Sequence, residues 1–262
     1  MPIAPLPDLN VHYKITGHGA PVVFCNSLGT DMRLWDDIIP LLPKNLQYIQ
    51  YDKRGHGLTD APPAPYSMGA LIGDAERLLD HLNIQDCVFV GCSIGGMIGQ
   101  GLAVKRMDQV RALVLSNTAA RIGTPQMWAE RIEKVTKGGV DAVADGVIER
   151  WFSKSFRATP EVVKWRNMLI RTPQQGYAGC SAAISGSDFL TTTATLTLPT
   201  LAIAGSEDGS TPPDMVRETA GLINGARFHL IRGAGHLPSV EKPQEFAATL
   251  TEFLNEIGHG SA

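Results

Sequence analysis

No uninterrupted apolar run in this chain reaches the roughly 18 residues of a membrane-crossing helix. The first residues, Met1-Pro2-Ile3-Ala4-Pro5, also lack the basic and apolar regions of a secretory signal. A cytoplasmic protein without a membrane partner is therefore expected. Cysteine is scarce. Cys25, Cys87, Cys92 and Cys180 show no CxxC spacing and no Cys/His cluster, so buried free thiols are expected in place of disulfides or zinc ligands. Neither a phosphate-binding loop, a dinucleotide fingerprint nor a metal-ligand cluster occurs, and no cofactor is expected. No Lys/Arg stripe interleaves with aromatics, and the net charge is −3. That balance argues against nucleic acid and favours a small-molecule partner.

What is present is ordinary for a soluble globular chain: 262 residues, 44% hydrophobic and 19% charged, enough for one substantial core. Short apolar runs alternate with helix-like stretches: Val22-Val23-Phe24-Cys25, Leu46 to Tyr51, Cys87 to Val90, Ala112 to Leu115, Thr200 to Ala204 and Arg227 to Ile231. A further strand, Val11 to Thr16, reads as an edge hairpin strand ahead of them. This alternation predicts an α/β fold with a mostly parallel sheet flanked by helices. The runs end in polar or glycine-rich segments, among them Asn26-Ser27-Leu28-Gly29, Gly91-Cys92-Ser93, Gly205-Ser206-Glu207-Asp208 and Gly233-Ala234-Gly235-His236. Ligands of open parallel sheets bind at the carboxyl ends of strands, so these segments are expected on one rim.

From 121 to 185 the alternation stops, and Trp128, Trp151, Phe152, Phe156, Trp165, Met127 and Met168 recur at helical spacings. A helical cap inserted between core segments 1–120 and 186–262 is expected. Ten Lys/Arg against six Asp/Glu give this insertion a charge of +4 and leave −7 for the remainder. A basic layer over a cleft favours a carboxylate-bearing substrate. Helices facing solvent and helices facing a partner share the same pattern, so a homo-oligomer stays open.

The chemistry centres on Gly91-Cys92-Ser93-Ile94-Gly95, which follows a β-prone run and precedes a helix-like one. Small residues around a serine allow the sharp strand-to-helix turn that exposes a nucleophile. Gly99 and Gly101 within that helix suggest close helix-on-sheet contact. A serine hydroxyl needs a base, and His236 at a strand end in a glycine-rich loop is the candidate, with His56 in Arg54-Gly55-His56-Gly57 the competitor. The base needs a carboxylate, for which Asp208 is the candidate and Glu207 the alternative. The order Ser, Asp, His is that of α/β-hydrolases. Two backbone N–H groups must face the developing oxyanion, and those of Leu28 and Ile94 stand in the right places.

The whole chain resembles the α/β-hydrolase superfamily, with Asn26-Ser27-Leu28-Gly29 where many members carry His-Gly and Asp52-Lys53-Arg54-Gly55-His56-Gly57 as the family turn. Within it the chain is similar to the 3-oxoadipate enol-lactonases, through Asn26 to Thr30, Asn117 to Pro125, Glu149-Arg150-Trp151-Phe152 and Gly176 to Cys180. The resemblance implies hydrolysis of a small anionic enol-lactone to 3-oxoadipate, in bacterial breakdown of catechol and protocatechuate, through Ser93, Asp208 and His236. Arg121, after the strand ending at Asn117, is then the candidate for the substrate carboxylate, and Trp128 and Trp151 for the pocket wall. A carbon–carbon bond hydrolase, a general carboxylesterase, a cofactor-free haloperoxidase or perhydrolase, and a non-catalytic receptor are the rival readings.

Overall fold

The computed structural model describes residues 2–260. Eight strands form one sheet: β1 (Ile3–Leu6), β2 (Leu9–Gly17), β3 (Ala20–Cys25), β4 (Leu46–Tyr51), β5 (Cys87–Cys92), β6 (Val110–Ser116), β7 (Thr200–Gly205) and β8 (Arg227–Ile231). Their order is β1-β2-β4-β3-β5-β6-β7-β8. From β4 to β8 every pairing is parallel, while β1 and β2 add an antiparallel hairpin at one edge. Strands β5 and β7 are buried along their whole length, as strands covered on both faces must be. The hairpin differs from expectation in one respect: β1, unforeseen, is the outermost strand, and β2 lies inside it.

Helices α1 (Met68–His81) and α2 (Ile94–Lys105) precede and follow β5. The first is capped by Ser67, whose hydroxyl accepts from Ala70 N–H at 3.1 Å, and it buries Leu71, Ile72, Ala75, Leu78 and Leu79 at helical spacing. Between β6 and β7 run only helices: α3 (Pro125–Gly138), α4 (Asp141–Trp151), α5 (Lys154–Arg157), α6 (Val162–Ile170), α7 (Gln174–Ser185) and α8 (Leu190–Thr193). Thr124 caps α3 by accepting from Met127 N–H, with Pro125 at its first position. Phe152 stacks on Phe156 at 4.7 Å and packs on Trp165 at 6.2 Å, giving this layer an aromatic core of its own. Helices α9 (Pro213–Gly221), α10 (Pro238–Glu241) and α11 (Pro243–Glu256) complete the chain. The four cysteines are buried free thiols.

Of Gly99 and Gly101 in α2, only Gly99 does what was expected. A Cβ there would press on Phe89 and Leu113 of the sheet, whereas one at Gly101 would strike Ile72 of α1. Crowding from both sides explains why this helix accepts residues that cost about 1 kcal/mol each relative to alanine.

Candidate active site

The carboxyl ends of β3, β5, β6, β7 and β8 converge on one rim, and on it lies a cavity of about 370 Å³ lined by Ser93, His236, Leu28, Trp128 and Trp151 among others. Ser93 sits between β5 and α2 with φ 57° and ψ −120°, a conformation that costs a non-glycine residue about 1–3 kcal/mol. Its surroundings hold it there. Ser93 N–H donates to Ser116 O at 3.0 Å, and its carbonyl accepts from Gly96 N–H at 2.9 Å and the Thr118 hydroxyl at 2.6 Å. Side chains at Gly91 and Gly95 would overlap the Gly95 carbonyl and the Cys25 carbonyl respectively, which is why the turn tolerates nothing larger there. Cys92 is buried outside the cavity, its thiol pushed far above the ordinary range by burial.

His236 follows β8. Its Nδ1–H donates to Asp208 Oδ2 at 2.8 Å, and both side chains are buried. Burial pushes the Asp208 carboxyl up, but the His236 charge and donors from His236, Asn117 and Ser210 outweigh it and hold the group below its usual range. Oδ1 accepts from the N–H groups of Ser210 and Thr211, and Oδ2 also accepts from Thr211 Oγ1 and Asn117 Nδ2, each at 2.8 Å. Glu207 faces elsewhere, accepting from Lys154 N–H at the surface. The far nitrogen of His236, Nε2, lies 3.4 Å from the Ser27 hydroxyl. Ser27, Ser93 and His236 all line the cavity.

The loop after β3 carries Leu28, and buried groups fix its shape. Lys53 Nζ donates to Ser27 O at 2.5 Å and to Thr30 O at 3.3 Å. Gly29 N–H donates to His56 Nε2 at 2.9 Å, so the His56 proton sits on Nδ1, facing Arg54 O at 3.2 Å. Burial, reinforced by Lys53, keeps this imidazole neutral by lowering its pKa well below 6.5. His56 is therefore a loop support, not the base. Among the described residues, the N–H groups of Leu28 and Ile94 have no acceptor within the chain. Ile94 begins α2, where the helix dipole also favours negative charge.

Arg121 does not reach this cavity. Its side chain is 61% exposed and pairs with Asp188 at 3.3 Å, because the chain after β6 turns it outward before α3 begins. Two other arginines line the wall: Arg131 of α3 and Arg150 of α4. Arg131 stacks 5.0 Å from the Trp128 ring centroid, and its charge tempers the rise that burial gives the Tyr177 pKa. Burial, and then repulsion from Arg131, lowers the Arg150 pKa. Neither arginine has a carboxylate partner among the described residues. Sequence patterning missed both, although Arg131 stands one turn after Trp128 and Arg150 adjoins Trp151. A larger depression of about 490 Å³, bordered by His12, Arg33 and Asp52, contains neither Ser93 nor His236.

A buried imidazole–carboxylate pair, a serine on a strained turn and two N–H groups without acceptors form a constellation able to carry acyl transfer. Known proteins share the architecture. A family model described as the alpha/beta hydrolase family matches residues 22–249. The chain is 33% identical over 249 residues to 3-oxoadipate enol-lactonase 2 of Acinetobacter baylyi, covering 91% of each chain. It is 32% identical to 3-oxoadipate enol-lactonase 1 of the same organism, over 95% of this chain and 94% of the relative. The crystal structure of the enol-lactonase from Burkholderia xenovorans LB400 superposes with a TM-score of 0.93 at 35% identity, over 97% of this chain and all of that one. With its parallel sheet, serine turn and strand-end carboxylate and histidine, the chain belongs to the alpha/beta hydrolase family.

Proposed function

We propose that this hydrolase opens 3-oxoadipate enol-lactone to 3-oxoadipate, with Ser93 as nucleophile, His236 as base and Asp208 as its carboxylate partner. In this reading Ser93 Oγ adds to the lactone carbonyl as His236 Nε2 takes its proton. The Leu28 and Ile94 N–H groups hold the tetrahedral oxyanion. Collapse breaks the ring C–O bond and expels an enolate, which takes up a proton and tautomerises to the ketone. His236 then activates water to release the acyl group from Ser93.

The observation that carries the substrate class is the pair Arg131 and Arg150. Two cations half-hidden in one wall repel each other, and neither forms an ion pair with a carboxylate among the described residues. A ligand carboxylate relieves that repulsion through charge-assisted hydrogen bonds. The similarity to enol-lactonases at about a third identity supports the same class.

The test mixes purified protein with the enol-lactone and follows loss of its ultraviolet absorbance, in parallel with a simple aryl ester and a ring-cleavage dienoate. The expected result is fastest turnover of the lactone. Turnover of the ester or dienoate with none of the lactone rejects the substrate assignment. A Ser93→Ala protein with full activity rejects the mechanism as well.

A further inference from the structure

Asn117 ties together the ends of three strands that carry the site. It follows β6 with φ 47°, a left-handed backbone that asparagine tolerates better than most residues, and it is fully buried. Its N–H donates to Ile203 O of β7 at 2.8 Å. The Ser116 hydroxyl donates to Asn117 Oδ1 at 3.0 Å, which sets the amide so that Nδ2 faces the other way. Nδ2 then donates to Asp208 Oδ2 at 2.8 Å and to Gly235 O at 3.3 Å. One amide thereby joins the end of β6 to the carboxylate after β7 and to the residue preceding His236 after β8.

We propose that Asn117 is a positioning residue that locks Asp208 and the His236 loop in register and shares the carboxylate charge that supports the imidazole. The proposal rests on the reading of His236 as the base. Oδ2 of Asp208 serves His236, Asn117 and Thr211 together, so part of its charge is neutralised by the Asn117 donor and the imidazole feels a weaker base than a bare carboxylate. The other titratable or charged groups around the pair are Cys92 of β5, Glu207 beside Asp208, Glu241 of α10, Tyr177 of α7, and Arg131 and Arg150 of the helical layer. None of them donates a hydrogen bond to Asp208; Thr211 does, but of the two side chains that donate to Oδ2 it is Asn117 that also holds the Gly235 carbonyl of the His236 loop.

Two substitutions keep the left-handed backbone and separate geometry from charge. Asn117→Asp is isosteric and puts a second carboxylate beside Asp208, so the imidazolium gives up its proton at higher pH. The acidic limb of kcat/KM is expected to move up by about one pH unit, a roughly tenfold loss below the limb that vanishes in the alkaline plateau. Asn117→Gly removes the amide, and is expected to lower kcat about tenfold with KM within twofold of the parent. Thermal unfolding of each variant reports folding. A parental pH profile for Asn117→Asp, or a loss equal at every pH, overturns the proposal, as does a parental kcat for Asn117→Gly. Ser93→Ala distinguishes the two levels: if it stays active the catalytic reading fails, whereas if it is inactive and the Asn117 variants are parental, only the role of Asn117 fails.

Discussion

Arg131 and Arg150 make a prediction in which function and stability move in opposite directions. Replacing either by methionine keeps most of the apolar stem and deletes the cation. If the pair receives the substrate carboxylate, each substitution removes one charge-assisted hydrogen bond worth about 1.5–3 kcal/mol. KM for the enol-lactone should therefore rise about tenfold to a hundredfold, while kcat, set at Ser93 and His236, changes by no more than a few-fold. In the free enzyme Arg150→Met removes a repulsion between two half-buried cations without carboxylate partners among the described residues. Discounted for solvent screening, that relief is about 0.5–1 kcal/mol, or an increase of about 1–4 °C in Tm for a chain of this size. Steady-state kinetics against thermal unfolding decides the matter, and an uncharged aryl ester serves as internal control because its KM should not move. An unchanged lactone KM, or equal increases for lactone and ester, refutes the assignment. A fall in Tm for Arg150→Met refutes the electrostatic reasoning behind it.

Two further outcomes follow from the site. Asp208→Asn is expected to lower kcat by about four orders of magnitude, the scale on which losing this carboxylate costs serine hydrolases, whereas Glu207→Gln, whose carboxylate faces Lys154 N–H, should stay within about twofold; equal losses in parallel assays would reassign the acid. His56 makes stability depend on pH. Below pH 6.5 the unfolded chain binds a proton that folded His56, with its lowered pKa, refuses, so its contribution is full above that value and declines as pH falls by up to about 1.4 kcal/mol per unit. His56→Gln keeps an acceptor for Gly29 N–H and should flatten denaturant-midpoint curves between pH 7 and 5; a slope equal to the parent's excludes His56 as the source.

How much of this was legible in the sequence depended on whether a residue's role was local. Strands β3, β5, β6 and β7 were legible because burial on both faces demands near-continuous apolar runs. Strand β1 was not, since Ile3-Ala4-Pro5-Leu6 lacks alternation and carries a proline, which counts against a strand unless it lies at an edge. Ser93, Asp208 and His236 each sit where a strand ends, a position that sequence can mark, and the structure brings them to one rim. The arginine facing the cavity could not be fixed that way. Proximity of Arg121 to the end of β6 says nothing about which face of the following loop is covered, whereas Arg131 and Arg150 are selected by how α3 and α4 pack on the rim. Asn117 carried a local signal, a polar residue suited to left-handed backbone at a strand end, but its partners Asp208 and Gly235 lie 91 and 118 residues away.

The helical layer does more than supply a wall, and Gly235 is where that can be measured. Its N–H donates to Glu241 Oε1 at 2.6 Å, and the next residue, His236, donates its N–H to the carbonyl of Trp151 at 2.7 Å. A Cβ on Gly235 would overlap that carbonyl, backbone that cannot rotate aside. Gly235→Ala must therefore separate the end of α4 from the His236 loop. Displacement of a catalytic group by about 1 Å costs on the order of a hundredfold in rate, and Arg150 and Trp151, at the same helix end, move with it. The substitution should lower kcat for every substrate by about that factor and raise KM for the anionic lactone in addition. Gly233→Ala is the matched control: its φ of 67° imposes about 1–2 kcal/mol of backbone strain, but nothing lies within 4 Å of the new methyl group. It should lower Tm and leave kcat unchanged. If Gly235→Ala behaves like Gly233→Ala, the contact between α4 and the His236 loop is slack, and the helical layer and the proposed catalytic residues are independent parts; if kcat and lactone KM change together, the layer that selects the substrate also positions the base.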